Sequence, residues 1–281
     1  MTVIRLAGRD VRLTTRAGHG LTVVLVGGCG VPSPLWQPVV ELLPGRAVTR
    51  LDRPGLGSPW PGRLPTLAEE VDTLAALADR IGSPVVLVAH SMAGPHAEAF
   101  TRLHPDLVRG LVVVDGSVEW DLRPAGVRDR GLRMFWLAAA RVVRRLLRPE
   151  PFRVLGRLAG RVVVALQSRL RIWSPMPGVA ILGEPDAAAS VLAENGAYAD
   201  QLRDLDQVRA QDPWPGTPTV VLTAAGDGGP SWVGDQRRLA DLLGADQVVV
   251  EDSRHLMMLD CPASVADAVR TVAPVGEKEV S

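Results

Sequence analysis

The chain has 281 residues, with 31 Lys+Arg balanced by 31 Asp+Glu, 47% hydrophobic residues, 28 Gly and 23 Pro, which is the profile of one sizeable globular unit and excludes disorder or a collagen-like chain. Zero formal net charge provides no long-range attraction to a phosphate backbone, so no nucleic-acid partner is expected. The two cysteines, Cys29 and Cys261, stand without CxxC or His-rich spacing, so neither a disulfide framework nor a metal site is expected.

The first twelve residues mix apolar and charged side chains and lack the apolar core of a secretory signal. No apolar run is long enough to span a bilayer, and the expected location is cytoplasmic. Segments 3–6 and 11–15 flank Gly8-Arg9-Asp10 and predict an antiparallel hairpin at a sheet edge. Short β-branched apolar runs then alternate with helix-like stretches: 21–26, 47–51, 84–89, 111–114, 219–223 and 247–250. Runs that are nearly all apolar predict strands buried on both faces, hence an α/β fold with a mostly parallel central sheet of about eight strands and helices on both sides.

Between 67 and 81 the apolar positions 67, 71, 74, 77, 78 and 81 follow a helical period, and Thr66 with Glu69 forms a capping box. Segments 231–243 and 262–272 read as two further helices, the second with Pro262 in its first turn. The rhythm breaks over 117–214, where helical periodicity continues without a strand, so the expected organisation is a core of 1–116 and 215–281 interrupted by a helical insertion. That insertion is polarised: 119–175 holds 13 Arg against four acids, whereas 176–212 holds two Arg against seven acids. Arg141, Arg144, Arg145 and Arg148 share one helical stripe and Arg153, Arg157 and Arg161 another, with Leu, Val and Ala opposite. The arginine stripes are expected to face water, with an anionic membrane surface or an acidic partner as the alternative.

After the run 84–89 comes His90-Ser91-Met92-Ala93-Gly94 and a helix-like stretch to Leu103. A serine on a sharp strand-to-helix turn lifts its hydroxyl above the sheet, and the following N–H groups point at the carbonyl oxygen it attacks. Beyond the last strand, His255 lies in Ser253-Arg254-His255-Leu256-Met257-Met258-Leu259-Asp260-Cys261-Pro262. Between them, Asp227 follows the run 219–223 in a glycine-rich loop, so the order is serine, acid, histidine at separations of 136 and 28 residues.

At these residues the chain resembles the α/β-hydrolase fold family, and the resemblance runs nearly end to end. The family's G-x-S-x-G is matched at its centre, with Ala89 and Ala93 in place of both glycines. The resemblance implies a cofactor-free serine hydrolase in which Ser91 is the nucleophile, His255 the base and Asp227 the residue that orients it. Asp115, at the end of the run 111–114, is the rival acid, because some family members place the carboxylate there, although its expected role is that of a strand-end turn former. The family's oxyanion hole maps onto the N–H groups of Met92 and of Cys29 in Gly27-Gly28-Cys29-Gly30, where Gly27 replaces a common histidine. A phosphate cradle at the same glycines lacks the G-K-[ST] that would follow. The Asp52-Arg53-Pro54-Gly55-Leu56-Gly57 signature is expected to be structural, with Arg53 near the elbow and His90 beneath it.

In this family an insertion at 117–214 is a cap over the site, and Trp120, Met134, Phe135, Trp136, Trp173 and Met176 would line a pocket or form the cap's own core. The implied substrate is a small molecule with an apolar part carrying an ester, lactone or thioester. Serine at position 91, where dehalogenases and epoxide hydrolases carry Asp, argues against their alkyl-enzyme chemistry. The alternative is a ligand-binding or receptor-like member with a slow or vestigial triad.

Overall fold

The computed structural model describes residues 1–226 and 228–273. Its eight strands are β1 (Thr2–Leu6), β2 (Arg9–Arg16), β3 (His19–Val26), β4 (Arg46–Asp52), β5 (Val85–His90), β6 (Val108–Val114), β7 (Thr219–Ala224) and β8 (Asp246–Val250). They form one sheet in the order β1-β2-β4-β3-β5-β6-β7-β8. The β1–β2 and β2–β4 pairs are antiparallel, and the pairs from β4–β3 to β7–β8 are parallel. The edge hairpin is tighter than the spacing predicts: Leu6 pairs with Arg9 across Ala7-Gly8, both at positive φ (44° and 78°). A two-residue turn of that hand matches the twist of the strands it joins.

The helices are α1 (Gln37–Glu41), α2 (Leu67–Ile81), α3 (Ala93–Leu103), α4 (Val127–Leu146), α5 (Glu150–Gln167), α6 (Pro185–Gln211), α7 (Gly229–Leu242), α8 (Met257–Asp260) and α9 (Pro262–Val272). Val86 and Val88 of β5 join the core that α1 and α9 cover, whereas Val85, Leu87 and Ala89 join the core of α2, α3 and α7. Strand side chains alternate between faces, so a strand covered on both sides must be apolar at every position. Helix α2 has the capping box: the Thr66 hydroxyl accepts from the Glu69 N–H and Glu69 accepts from the Thr66 N–H. Gly82 closes the same helix in the left-handed conformation.

Between β6 and β7 the chain forms α4, α5 and α6 and no strand. Helix α6 packs against α4 and α3. Helix α5 is oriented opposite to expectation. Its inner face carries Gly156 and Gly160, where an added Cβ would lie 3.1 Å from the Gly183 Cα and 2.6 Å from the Leu182 Cβ. That close approach draws in the neighbouring arginines. Arg153 pairs with Glu150 and Glu184, Arg157 with Glu150, and Arg161 donates to the Ile172 and Ser174 carbonyls. The apolar stripe is left facing out, and every exposed residue from 151 to 166 is apolar. Among the described residues no helix is long and apolar enough to cross a membrane.

Candidate active site

Ser91 occupies the turn from β5 into α3 at φ 52°, a left-handed conformation that a non-glycine residue adopts only when its surroundings impose it. The restraints are visible. The Ser91 N–H donates to the Val114 carbonyl, and the Ser91 carbonyl accepts from the Gly94 and Ser117 N–H groups. Ala89 and Ala93 are both buried, so the methyls that replace the family glycines pack into the core.

His255 lies in the loop between β8 and α8. Its Nε2 is 3.0 Å from the Ser91 Oγ, and its Nδ1 is 2.6 Å from the Asp115 Oδ2. With Nδ1–H donated to the carboxylate, Nε2 accepts the serine hydroxyl. Asp260, five residues beyond His255, accepts the Arg254 N–H at 2.9 Å through Oδ2 and the Arg169 N–H at 2.8 Å through Oδ1. The Leu256 N–H donates to the Gln167 carbonyl, so the end of α5 also ties down the histidine loop.

Asp227, the acid singled out by the sequence, lies outside the described residues. The carboxylate on His255 is that of Asp115, the rival at the end of β6. Asp115 is buried and sits at φ 45°. Its Oδ1 accepts the Ala224 N–H at 3.0 Å and the Trp232 indole N–H at 2.8 Å, which leaves Oδ2 for the imidazole. The role of Trp232, on α7, has no sequence signal. A lone acid closing the apolar run 111–114 was the available signal for Asp115, since strand ends at the carboxyl edge of such a sheet are where sites form.

The glycine loop after β3 lies against Ser91. A Cβ on Gly28 would stand 2.6 Å from the Ser91 Cβ, so only glycine fits there. The Gly28 N–H donates to His90 Nδ1 at 3.3 Å, and His90 Nε2–H donates to the His255 carbonyl at 2.9 Å. Burial, reinforced by His255 and Arg53, holds His90 well below the usual histidine range, so the ring is neutral and can both accept and donate. Among the described residues the N–H groups of Met92 and Cys29 donate no hydrogen bond within the protein.

Arg53 is fully buried beneath the same loop, donating to the Gly27 and Gly28 carbonyls at 2.7 and 3.0 Å. Its other contacts reach Glu194 on α6, at 3.2 and 2.8 Å. Burial opposes the Arg53 charge, but the facing Glu194 and Glu70 carboxylates outweigh it and leave its pKa raised. Burial and Glu194 push the Cys29 thiol up, so it stays protonated. Tyr198, also on α6, is half-buried, and burial together with Glu119 pushes its hydroxyl up to about 12.

A sequence profile of the alpha/beta hydrolase family matches residues 23–268. The chain belongs to the alpha/beta hydrolase family. Within that family it is 35% identical over 101 residues to Lipase LipV of Mycobacterium tuberculosis, covering 35% of this chain and 38% of that one. It is 33% identical over 110 residues to a pimeloyl-[acyl-carrier protein] methyl ester esterase of Pseudoalteromonas atlantica, covering 37% of this chain and 40% of the esterase. The matches thus span about two fifths of these relatives' length. The thioesterase domain from the curacin biosynthetic pathway superposes with a TM-score of 0.69 over 95% or more of both chains (96% and 98%) at 17% identity, a likeness of fold.

Proposed function

We propose that this alpha/beta hydrolase is a serine hydrolase that cleaves an ester, lactone or thioester of a small to medium apolar substrate through an acyl-enzyme on Ser91. The observation that carries the proposal is the relay from Ser91 through His255 to Asp115, at 3.0 and 2.6 Å. His255 Nε2 takes the serine proton as Oγ attacks the carbonyl carbon, and the imidazolium formed is stabilised by the buried Asp115. The tetrahedral oxyanion is held by the N–H groups of Met92 and Cys29, a reading supported by their lack of internal acceptors and by the contact of the glycine loop with Ser91. Return of the proton from His255 to the alcohol or thiol expels it. Water, deprotonated by the same imidazole, then attacks the acyl carbon and releases the acid with Ser91 restored.

Asp115, rather than Asp227, is the orienting acid in this proposal, because one carboxylate already fills the hydrogen-bonding direction of Nδ1. The helical segment 117–214 is the cap, supported by the ion pair of Glu194, on α6, with the Arg53 that holds the glycine loop. The lipase and methyl ester esterase among the relatives agree with an ester substrate.

Intact mass after treatment with a fluorophosphonate tests the nucleophile: one adduct is expected on the wild type and none on Ser91→Ala. Hydrolysis of short p-nitrophenyl esters tests the acid. Asp115→Asn should lower kcat by about four orders of magnitude, the cost of losing the tautomer-setting carboxylate in a Ser-His-Asp site. Asp227→Asn should leave kcat near wild type. The reverse pattern would move the acid to Asp227. No adduct and no turnover would instead support the ligand-binding alternative.

A further inference from the structure

We infer that the outer face of α5 is a docking surface for an anionic lipid bilayer. A helix in a water-soluble assembly turns its apolar stripe inward, whereas α5 turns Phe152, Leu155, Leu158, Val162, Val163 and Leu166 to solvent, at 39–68% exposure. A contiguous apolar stripe of this kind marks an interaction site.

Charge selects the occupant. Arg145, in the last turn of α4, and Arg148, in the link into α5, are exposed and form no ion pair among the described residues. The two carboxylates between 127 and 173 are already bridged, Asp129 by Arg203 and Glu150 by Arg153 and Arg157. An apolar stripe whose N-terminal approach carries two unpaired arginines, in a segment 127–173 without an unpaired acid, complements anionic headgroups over acyl chains. The bilayer would meet α5 at the element whose C-terminal end hydrogen-bonds Leu256 and Asp260 of the histidine loop.

The test is co-sedimentation of the full chain with vesicles of phosphatidylcholine alone or mixed with phosphatidylglycerol. Binding to the mixed vesicles is expected, weakening as salt rises, and little binding to phosphatidylcholine alone. Leu155→Gln with Val162→Gln and Leu166→Gln should weaken partitioning at least about tenfold, since each buried methylene contributes to interfacial binding. Arg145→Gln with Arg148→Gln should weaken it by about fivefold per arginine. These positions are exposed, so both variants should keep the wild-type circular dichroism and turnover of a short soluble ester. Absence of phosphatidylglycerol-dependent binding, or equal binding by the triple glutamine variant, would overturn the inference. So would a dimer in sedimentation equilibrium that the triple variant dissolves, which would give the face to a second copy. Retention on polyglutamate without vesicle binding would give it to an acidic protein.

Discussion

At the scale of single residues, the proposed site combines the side chains of Ser91, His255 and Asp115 with one missing side chain. Gly28 contributes no catalytic atom, yet its lack of a Cβ lets the glycine loop press on Ser91. Gly28→Ala should therefore displace the loop or the nucleophile and lower kcat by about a hundredfold, the scale expected of a 1 Å misplacement at a reacting centre. Its fold should survive, which thermal unfolding would check. A kcat within a factor of two of wild type would mean that the loop relaxes without disturbing the hydroxyl. His90 belongs to the same group: it is neutral and bonded to both the glycine loop and the His255 backbone, so it ties the two together.

At the scale of elements, the buried Arg53–Glu194 pair joins β4's following loop to α6 and anchors two carbonyls of the glycine loop. Breaking a buried pair leaves an uncompensated charge, at a cost of about 3–5 kcal/mol. Glu194→Gln should lower the urea unfolding free energy by that order, whereas Arg53→Met with Glu194→Leu should recover much of it. Esterase activity should fall in both variants, because the carbonyls of Gly27 and Gly28 lose or change their anchor. Full activity in the double variant would show that the pair serves stability alone.

At the scale of the whole molecule, buried titratable groups dictate how the fold meets acid. Burial lowers His96 to about 4, the Glu70 carboxylate raising it and Arg53 lowering it. The unfolded chain binds this proton near the ordinary histidine value, so stability conferred by the neutral ring is complete above about pH 7 and is lost as pH falls toward 4. Holding a histidine at about 4 rather than at its ordinary value corresponds to about 3 kcal/mol. Glu70 opposes its own burial through Arg9, which holds it down to about 2, so a second loss follows between about pH 5 and 2. Urea midpoints should drop steeply from pH 7 to pH 4, and His96→Asn should flatten the upper part of that slope. A flat profile in the wild type would mean that His96 is protonated in the folded state.

The strands, the capped helix α2, the serine elbow and the histidine loop were legible in the sequence because each is set by local rules. A two-sided strand must be apolar throughout, a capping box needs residues three apart, and an elbow joins a strand to a helix through adjacent residues. The pairing of Asp115 with His255, the Arg53–Glu194 pair and the orientation of α5 were not legible. Asp115 and His255 lie 140 residues apart and meet through the neighbouring positions of β6, β7 and β8 in the sheet. Arg53 and Glu194 lie 141 apart and meet where α6 crosses the glycine loop. In α5 the hydrophobic period specified an amphipathic helix but left its rotation open. That rotation was decided by tertiary contact, where Gly156 and Gly160 admit the 179–183 segment and the arginines find carboxylates and carbonyls beside it.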